Sequence, residues 1–376
     1  MSAELEHDHS NSELGRERVI VAMSGGVDSA TAAALLVEQG FEVTGVMMRL
    51  WAEETGDGLA HNRCCSPQAV EDARSVCQQL GIPFYLLNFE REFKAAVVDY
   101  FCDEYEQGRT PNPCLACNRH IKFHFLLNKA RALGANYLAT GHYARVRKIN
   151  GRYQLLKGVD PAKDQSYALY MLGQEELRHL LFPLGGYTKE QVRGMATEWG
   201  LPVARKPESQ EICFVPDNDY RRFLRSQRPG SFRPGPIVDH RGCQLGIHQG
   251  LPAYTIGQRR GLGISAGEPL YVLKVDTTTN TLLVGGAHLL GQSRLTAREV
   301  NLVEGGEPRA PLEITAKIRY KAVETAAKLV PLGGTRVEVI FEQPQRAITP
   351  GQAVVFYQGQ LVVGGGIIEQ FLSSSC

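Results

Sequence analysis

The chain reads as an α/β protein: a doubly wound parallel sheet, then a small β-rich central domain and a C-terminal β-barrel. Three observations predict this. From residue 18 to about 145, apolar strand-like runs alternate with helical runs, the pattern of parallel strands joined by crossover helices. At 24–29 the sequence Ser-Gly-Gly-Val-Asp-Ser links the first strand to the first helix, a turn in which glycine lets the backbone fold tightly. After about residue 225 Gly and Pro become dense, as in Arg228-Pro229-Gly230, Arg233-Pro234-Gly235-Pro236 and Gly261-Leu262-Gly263, and short β-type runs replace helices.

Taken in order, Val19-Ile20-Val21-Ala22-Met23 predicts a strand over 18–23, and the alanine-rich run closed by Gly40 predicts a helix over 28–39. A strand at 42–50, a helix at 67–80, a strand at 84–89, helices at 91–107 and 118–133, and a strand at 136–143 follow. Ligands of such a sheet belong at the carboxyl ends of its strands, where Ser24–Ser29, Met48 and Gly141-His142 fall. Asn150-Gly151 predicts a hairpin across 145–157, and helical segments are expected near 174–182 and 188–199. Strand runs at 311–320, 325–331, 335–342, 353–357 and 360–368, separated by Gly-Gly, Gln-Pro, Pro-Gly and Gln-Gly turns, predict the barrel. The expected domains are therefore 18–225, 226–290 and 291–376, behind a leader at 1–17 and with no internal repeat.

With 376 residues, 43% of them hydrophobic, the chain is long enough for two or three cores. The acidic, polar leader is expected to be disordered and is unlike a secretory signal or an Arg-rich transit peptide. His7 and His9 within it could bind a stray metal, although a solvated tail is the better reading. No run approaches the roughly 20 apolar residues of a membrane span, so a cytoplasmic protein without a membrane partner, and a monomer, is expected. The formal net charge of +1 excludes a general electrostatic attraction to nucleic acid, so any RNA contact must be local and shape-reading. Nine cysteines, an odd number without a secretory signal, argue against a disulfide framework and turn attention to redox or metal chemistry.

A strand, a glycine turn and a helix point backbone N–H groups and the positive end of a helix dipole at one spot, which suits a phosphate chain. The turn at 24–29 lacks the Lys-Ser/Thr ending of a Walker loop and carries Asp28 where a Mg2+–pyrophosphate complex could be steered. It resembles the PP-loop of ATP pyrophosphatases, which cleave ATP to AMP and pyrophosphate by adenylating a substrate oxygen. Packing alone also explains many glycine turns. Gly141 would let a backbone approach the nucleotide, but Thr140-Gly141 could equally be only a turn.

The stretch Gly108-Arg-Thr-Pro-Asn-Pro-Cys114-Leu-Ala-Cys117-Asn118 is the second informative one. Its prolines stiffen a loop that brings Cys117 to the start of a helix among Arg119, His120 and Lys122, where a thiolate is favoured. A metal-binding C-x-x-C and an inert buried pair are the alternatives. Cys213 sits in a polar loop entering an apolar strand-like run, and by itself reads as a small core residue before Phe214. Cys64-Cys65 is a second-rank candidate, because adjacent cysteines rarely bridge one another or complete a metal site alone. Cys77 and Cys102, inside amphipathic helices, read as core.

In order along the chain, Ser24–Ser29, Gly108–Pro113 with Cys117-Asn118, Ala139-Thr-Gly-His-Tyr143, Lys163-Asp-Gln-Ser-Tyr167, Ile212-Cys-Phe214, Tyr254-Thr-Ile-Gly-Gln258 and Gly364-Gly-Gly-Ile-Ile368 resemble the motifs of the tRNA-specific 2-thiouridylases. The resemblance spans nearly all of the chain from residue 18. It implies that ATP adenylates O2 of the wobble uridine in tRNAs for Lys, Glu and Gln, and that sulfur then replaces this oxygen. Adenylation makes a leaving group of a carbonyl oxygen that is otherwise hopeless as one. The resemblance implies that Ala22, Met23, Ser24, Gly25, Gly26, Val27, Asp28 and Ser29, with Met48, hold ATP, and that Gly141 lies at the adenosine. It further implies that Cys213 receives sulfur from a donor protein as a persulfide. Cys117 would be the nucleophile completing transfer and leaving a Cys117–Cys213 disulfide. Asn112, Pro113 and Cys114 would flank the target base, extruded from its stack, while His142, Lys163, Asp164, Gln165, Arg319, Tyr320 and Gln352 would contact tRNA. Arg319-Tyr320 independently suits phosphate binding and base stacking, although such a pair in a strand is also ordinary.

Cys114 stands where better-known members commonly have an Asp assigned a general-acid or general-base role, which puts that role in doubt here. It creates a set of three thiolates, Cys114, Cys117 and Cys213, expected to share a site. The set resembles the three-cysteine site of related iron–sulfur tRNA thiolases, so a 4Fe-4S cluster is an alternative route, and zinc a structural one. Another PP-loop adenylating ligase would leave Cys117 and Cys213 unexplained. A nucleotide-gated RNA-binding protein would leave the intact loop at 24–29 unexplained.

Overall fold

The computed structural model describes residues 16–55, 58–59, 62–207 and 212–371. The leader expected at 1–17 therefore lies, except for its last two residues, outside the described residues. The chain divides into two compact units, Met1–Phe93 with Asn118–Pro216, and Lys94–Cys117 with Asp217–Cys376.

The first unit is built on a parallel sheet whose strands lie in the order Phe84–Asn88, Glu42–Arg49, Arg18–Met23, Tyr137–Ala139, Leu180–Leu181. The chain winds outward in both directions from Arg18–Met23, which pairs in parallel with Glu42–Arg49 on one side (Val19 beside Val43) and with Tyr137–Ala139 on the other (Val19 beside Tyr137). The strand order reverses there, at the carboxyl end of the first strand, the position at which doubly wound sheets bind their ligands. Val19, Ile20, Val21 and Met23 are all buried, as expected of a strand covered on both faces. Helices Val27–Glu38 and Pro67–Gln79 cover the sheet, the second capped by Ser66, whose hydroxyl accepts the Ala69 N–H. Helix Lys189–Glu198 begins in a Thr188/Gln191 capping box, and its Val192 packs with Ala32 and Leu35 of the first helix.

The expected hairpin is present as Ala144–Ile149 and Arg152–Lys157, with Asn150 and Gly151 at φ 51° and 78°, the left-handed pair that a two-residue hairpin turn requires. Two expectations are corrected. The strand at 136–143 is only Tyr137–Ala139, because Thr140 to Tyr143 turn away to meet the loop at 24–29. The helix near 174–182 stops at Leu177, and Leu180–Leu181 instead adds the fifth parallel strand. Short apolar runs do not distinguish the two.

The second unit carries the helical run 94–106, helix Pro113–Ala116 and helix Tyr220–Gln227. The last was not expected. It is capped by the Asp219 carboxylate, which accepts the N–H groups of Arg221 and Arg222. A four-stranded sheet follows, ordered Gln244–His248, Gly235–Val238, Thr281–Gly285, Tyr271–Asp276. The final element is a closed antiparallel barrel. Around it run Gly291–Leu302, Arg336–Arg346, Thr325–Gly333, Leu312–Lys317, Ala353–Gln358 and Leu361–Phe371, the last pairing back onto the first. Gly291–Leu302, absent from the expected strands, is the one that closes the ring. At Gly364 a Cβ would lie 2.1 Å from the Asn301 carbonyl oxygen, so glycine permits the two closing strands to approach. Leu295, Val337, Val339, Leu329 and Phe356 fill the interior. Among the described residues no helix is long and apolar enough to cross a membrane.

Candidate active site

The loop at 24–29 leaves the carboxyl end of Arg18–Met23 at the point where the strand order reverses. Gly25 is left-handed (φ 66°), and a Cβ there would sit 2.3 Å from the Ala69 carbonyl oxygen, so the loop lies directly on the first turn of helix Pro67–Gln79. Gly26 is the extended N-cap of helix Val27–Glu38 and offers no side chain to its first-turn amides. That leaves the helix start suited to an anionic ligand. Ser29 locks the loop: its hydroxyl donates to the Gly26 carbonyl (3.1 Å) and accepts the Ser24 N–H (3.1 Å). Met23, Val27 and Ser29 are buried, Met48 closes the end of the neighbouring strand, and Ser24 is exposed beside the half-buried Ala22, Gly26 and Asp28.

Two lysines that the sequence reading missed converge on this loop. Lys189 Nζ donates to both Asp28 carboxylate oxygens at 2.7 and 2.9 Å, and the Tyr143 hydroxyl donates to Asp28 Oδ1 at 2.8 Å. Lys206 Nζ donates to the Gly25 carbonyl (2.8 Å) and to Asp72 (2.5 Å). A signal for the first was available. Lys189 stands in the first turn of its helix, where a cation opposes the helix dipole and so asks for an anion from elsewhere. Asp28, expected to steer a metal–pyrophosphate complex, is paired in this structure with the buried Lys189, which it holds at the loop. Gly141 also has a more local reason: a Cβ would lie 2.9–3.0 Å from Asp28 C and Cβ and from Ser29 N. The Thr140–Tyr143 turn packs against the loop itself.

A second feature adjoins this one. Asn62 accepts the Cys64 N–H (3.0 Å) and donates to the Trp51 carbonyl (2.9 Å), fixing the short turn ahead of helix Pro67–Gln79. The adjacent cysteines part company there. Cys65 Sγ accepts the Leu50 N–H (3.3 Å), and burial raises its pKa. Cys64 is exposed, and its pKa is lowered to about 7, by Cys213 first and then by the positive charge of Lys122. The strand-like run expected at Cys213 is a turn, in which Phe214 and Val215 are 1% exposed and Phe214 meets Phe93 edge-on at 5.8 Å. Phe214 is the core residue; Cys213 remains half-exposed. Cys77 and Cys102 are fully buried, with thiol pKa values pushed up to about 11, and are inert core residues as expected.

In the second unit, the loop at 108–117 is tied down by its neighbours. The Thr110 N–H donates to the Pro350 carbonyl (2.8 Å), and Gln352 Nε2 donates to the Thr110 carbonyl (2.7 Å). Arg109 forks onto the Glu104 carboxylate. Asn112 caps Pro113–Ala116 by accepting the Cys114 and Leu115 N–H groups, with Pro113 at the first helical position. Asn112 and Gln352, expected beside the base and the tRNA, therefore use their amides to shape this loop. Cys114 is exposed, and Cys117, half-exposed, opens a ten-residue π-helical stretch, Cys117–Leu126. Such geometry is frequent at functional sites. Cys114 and Cys117 belong to the second unit and Cys213 to the first. Among the described residues no group of three or more His, Cys, Asp or Glu is gathered as a metal site.

The residues expected to contact tRNA differ in how open they are. Asp164 accepts the N–H groups of Gly158 and Ser166 and the Ser166 hydroxyl, and the Gln165 carbonyl oxygen of its side chain accepts the Tyr143 N–H, so both organise the loop on which Lys163 stands. His142 bonds Thr140 Oγ1 at 2.7 Å between the Phe123 and Phe182 rings. Burial, with Lys122 adding to it, lowers its pKa well below the usual value. Arg319 and Tyr320 lie in a turn past strand Leu312–Lys317, a correction to the expected strand. Arg319 donates to the Arg346 carbonyl there, and Tyr320 is exposed.

Residues 17–217 match the family model described as tRNA methyl transferase HUP domain. Residues 221–286 match the tRNA methyl transferase PRC-barrel domain, and 292–368 the aminomethyltransferase beta-barrel domain. The chain is 54% identical over 369 residues to the tRNA-specific 2-thiouridylase MnmA of Roseiflexus castenholzii, covering 94% of this chain and 99% of that protein. It is 56% identical over 352 residues to that of Moorella thermoacetica (93% and 99% covered) and 53% identical over 362 residues to that of Carboxydothermus hydrogenoformans (96% and 99% covered). Identity at this level over nearly the whole of both chains, on a parallel sheet followed by two β-domains, leads to one conclusion: the chain belongs to the tRNA-specific 2-thiouridylase MnmA family.

Proposed function

We propose that this protein is an ATP-dependent tRNA-uridine 2-sulfurtransferase acting on the wobble uridine of tRNAs for Lys, Glu and Gln. The observation that carries the reading is the intact loop at 24–29, with its uncapped helix start and two lysines, in a chain more than 50% identical to 2-thiouridylases over nearly its full length. ATP is read as lying along Ser24–Ser29 with its phosphates at the start of helix Val27–Glu38, and Mg2+ bound with it supplies positive charge to the pyrophosphate leaving group. Lys189, held by Asp28 and Tyr143, and Lys206, held by Gly25 and Asp72, add fixed positive charge where negative charge develops as pyrophosphate departs. Adenylation of uridine O2 makes that oxygen a leaving group, and sulfur displaces it as AMP.

Cys213 is read as the persulfide carrier loaded by a sulfur-donor protein, and Cys117 as the nucleophile that completes transfer. Their half-exposure suits access by a donor and by an RNA base. Exposed Cys114 and the Asn112-capped loop form the platform for the extruded base, and Lys163, Arg319 and Tyr320 are candidates for the flanking RNA. An iron–sulfur route on Cys114, Cys117 and Cys213 is the alternative reading. The protein is read as a cytoplasmic monomer. The test is mass spectrometry of nucleosides after incubating the protein with ATP, Mg2+, a persulfide donor and unmodified tRNA. 2-Thiouridine at the wobble position is expected, lost in Cys213→Ser and Cys117→Ser while ATP still binds. Pyrophosphate release without thiolation in the wild-type protein would overturn the sulfur-transfer reading.

A further inference from the structure

We propose that Gln352 is a positioning residue for sulfur transfer, which with Thr255 and the turn at 350–351 clamps Thr110 and so fixes where Cys117 stands; the proposal rests on reading Cys117 as the nucleophile. All of these residues belong to the second unit, yet they come from separate parts of it: the cysteine loop, the central β-domain and the barrel. Thr110 is held on every polar atom. Its N–H donates to the Pro350 carbonyl at 2.8 Å, its carbonyl accepts from Gln352 Nε2 at 2.7 Å, and its hydroxyl donates to Thr255 Oγ1 at 3.3 Å. Gly351, left-handed at φ 90°, makes the approach possible, since a Cβ there would lie 3.0 Å from the N, C and O atoms of Thr110.

The groups that hold Thr110 are themselves fixed. The Gln352 N–H donates to the Thr349 carbonyl (3.2 Å), and the Gln352 carbonyl accepts the Ile368 N–H (2.8 Å) from the last barrel strand. The Thr255 N–H donates to Gln258 Oε1 at 3.1 Å. The stretches 254–258 and 364–368, which take no part in the chemistry described above, thereby converge on one residue of the cysteine loop. From Thr110 the constraint passes stiffly to the thiol. Pro111 and Pro113 have φ locked by their rings, Asn112 accepts the Cys114 and Leu115 N–H groups, and the Cys117 N–H donates to the Pro113 and Cys114 carbonyls. Few torsions between Thr110 and Cys117 are left free, so a shift at Thr110 moves the thiol. A reacting group must be held within about 0.5 Å of its productive position. Gln352, expected on the RNA, instead turns its amide nitrogen to a carbonyl of this loop.

Full-length wild type, Gln352→Ala, Gln352→Met, Thr255→Val and Cys117→Ser are compared by steady-state thiolation of tRNA with ATP, Mg2+ and a persulfide donor, by tRNA affinity in filter binding, and by the rate at which iodoacetamide alkylates each cysteine, read by peptide mass spectrometry. Methionine matches glutamine in length but offers no donor to the Thr110 carbonyl. Both Gln352 variants are expected to lower kcat about tenfold at unchanged KM and Kd for tRNA, and Thr255→Val to lower it about threefold. In the Gln352 variants Cys117 is expected to alkylate several-fold faster, while Cys102, fully buried in the same unit, stays protected. A comparable loss of tRNA affinity makes Gln352 an RNA contact and overturns the inference. Wild-type kcat in both Gln352 variants overturns it too, as does alkylation of Cys102 alongside Cys117, the mark of general loosening. Thiolation retained by Cys117→Ser overturns the reading of Cys117, and this inference with it; beside an inactive Cys117→Ser, the other outcomes bear on the inference alone.

Discussion

The Asp28–Lys189 pair offers the most quantitative test of how the loop at 24–29 is held. Lys189 Nζ lies 2.7 and 2.9 Å from the two carboxylate oxygens, with the side chains 11% and 32% exposed, respectively. At an effective dielectric of about 20, charges at this separation attract by roughly 6 kcal/mol before desolvation is counted. Desolvation offsets most of that, so the pair should fall between exposed pairs at about 0.5 kcal/mol and fully buried ones at about 3–5 kcal/mol when one partner is removed. Asp28→Ala also takes the acceptor from the Tyr143 hydroxyl, worth about 1 kcal/mol. We expect Asp28→Ala to cost about 2–3 kcal/mol, Lys189→Met about 1–2 kcal/mol, and the double variant about 1–2 kcal/mol less than their sum, since the second removal relieves the charge stranded by the first. Urea unfolding of the four proteins gives the coupling energy. Asp28→Asn leaves the lysine charge unpaired but keeps an acceptor for the Tyr143 hydroxyl, so it should cost about 1 kcal/mol less than Asp28→Ala, while tRNA-dependent pyrophosphate release falls because the lysine is no longer neutralised and held. Additive stability losses would refute the pairing as a structural unit, and wild-type pyrophosphate release by Asp28→Asn would refute its role at the leaving group.

Two further tests follow from the same turn. Gly141→Ala places a methyl 2.9–3.0 Å from atoms of Asp28 and Ser29. The loop must shift, at a cost of about 1–3 kcal/mol. Stability and ATP affinity should therefore fall together in urea titrations and ATP isotherms, and loss of affinity at unchanged stability would instead favour direct contact with the nucleotide. His142 is kept neutral by burial, its folded pKa lying below the unfolded value near 6.5. The unfolded state therefore binds the proton more tightly. This residue's contribution is fully present above about pH 6.5 and is lost as pH falls below it, by at most about 1.4 kcal/mol per pH unit. His142→Phe should remove that slope from the pH dependence of stability between pH 6.5 and 5, and an unchanged slope would show that the imidazole is open to solvent.

Much of the architecture was legible because hydrophobic period reports local backbone geometry. The runs at 18–23 and 42–49 and the helix closed by Gly40 stand almost where they were expected. What failed were segments whose state depends on a distant partner. Leu180–Leu181 is a strand only because Tyr137–Ala139 offers it an edge, and Gly291–Leu302 is a strand because two others pair with it.

At the site, the sequence by itself determined the loop at 24–29, the proline-stiffened stretch ahead of Cys117, and the core character of Cys77 and Cys102. Each of these is a local matter of glycine freedom, proline rigidity or helical periodicity. Only the tertiary structure decided that Lys189 and Lys206 reach the loop, that Gly141 packs on it, that Asn112 and Gln352 spend their amides on the backbone, and that Cys65 turns inward onto Leu50 while Cys64 stays exposed. The physical reason is the same in each case. A side chain's charge state and partners depend on what the fold brings within hydrogen-bonding distance, and residues more than a hundred positions apart carry no local pattern that records their meeting.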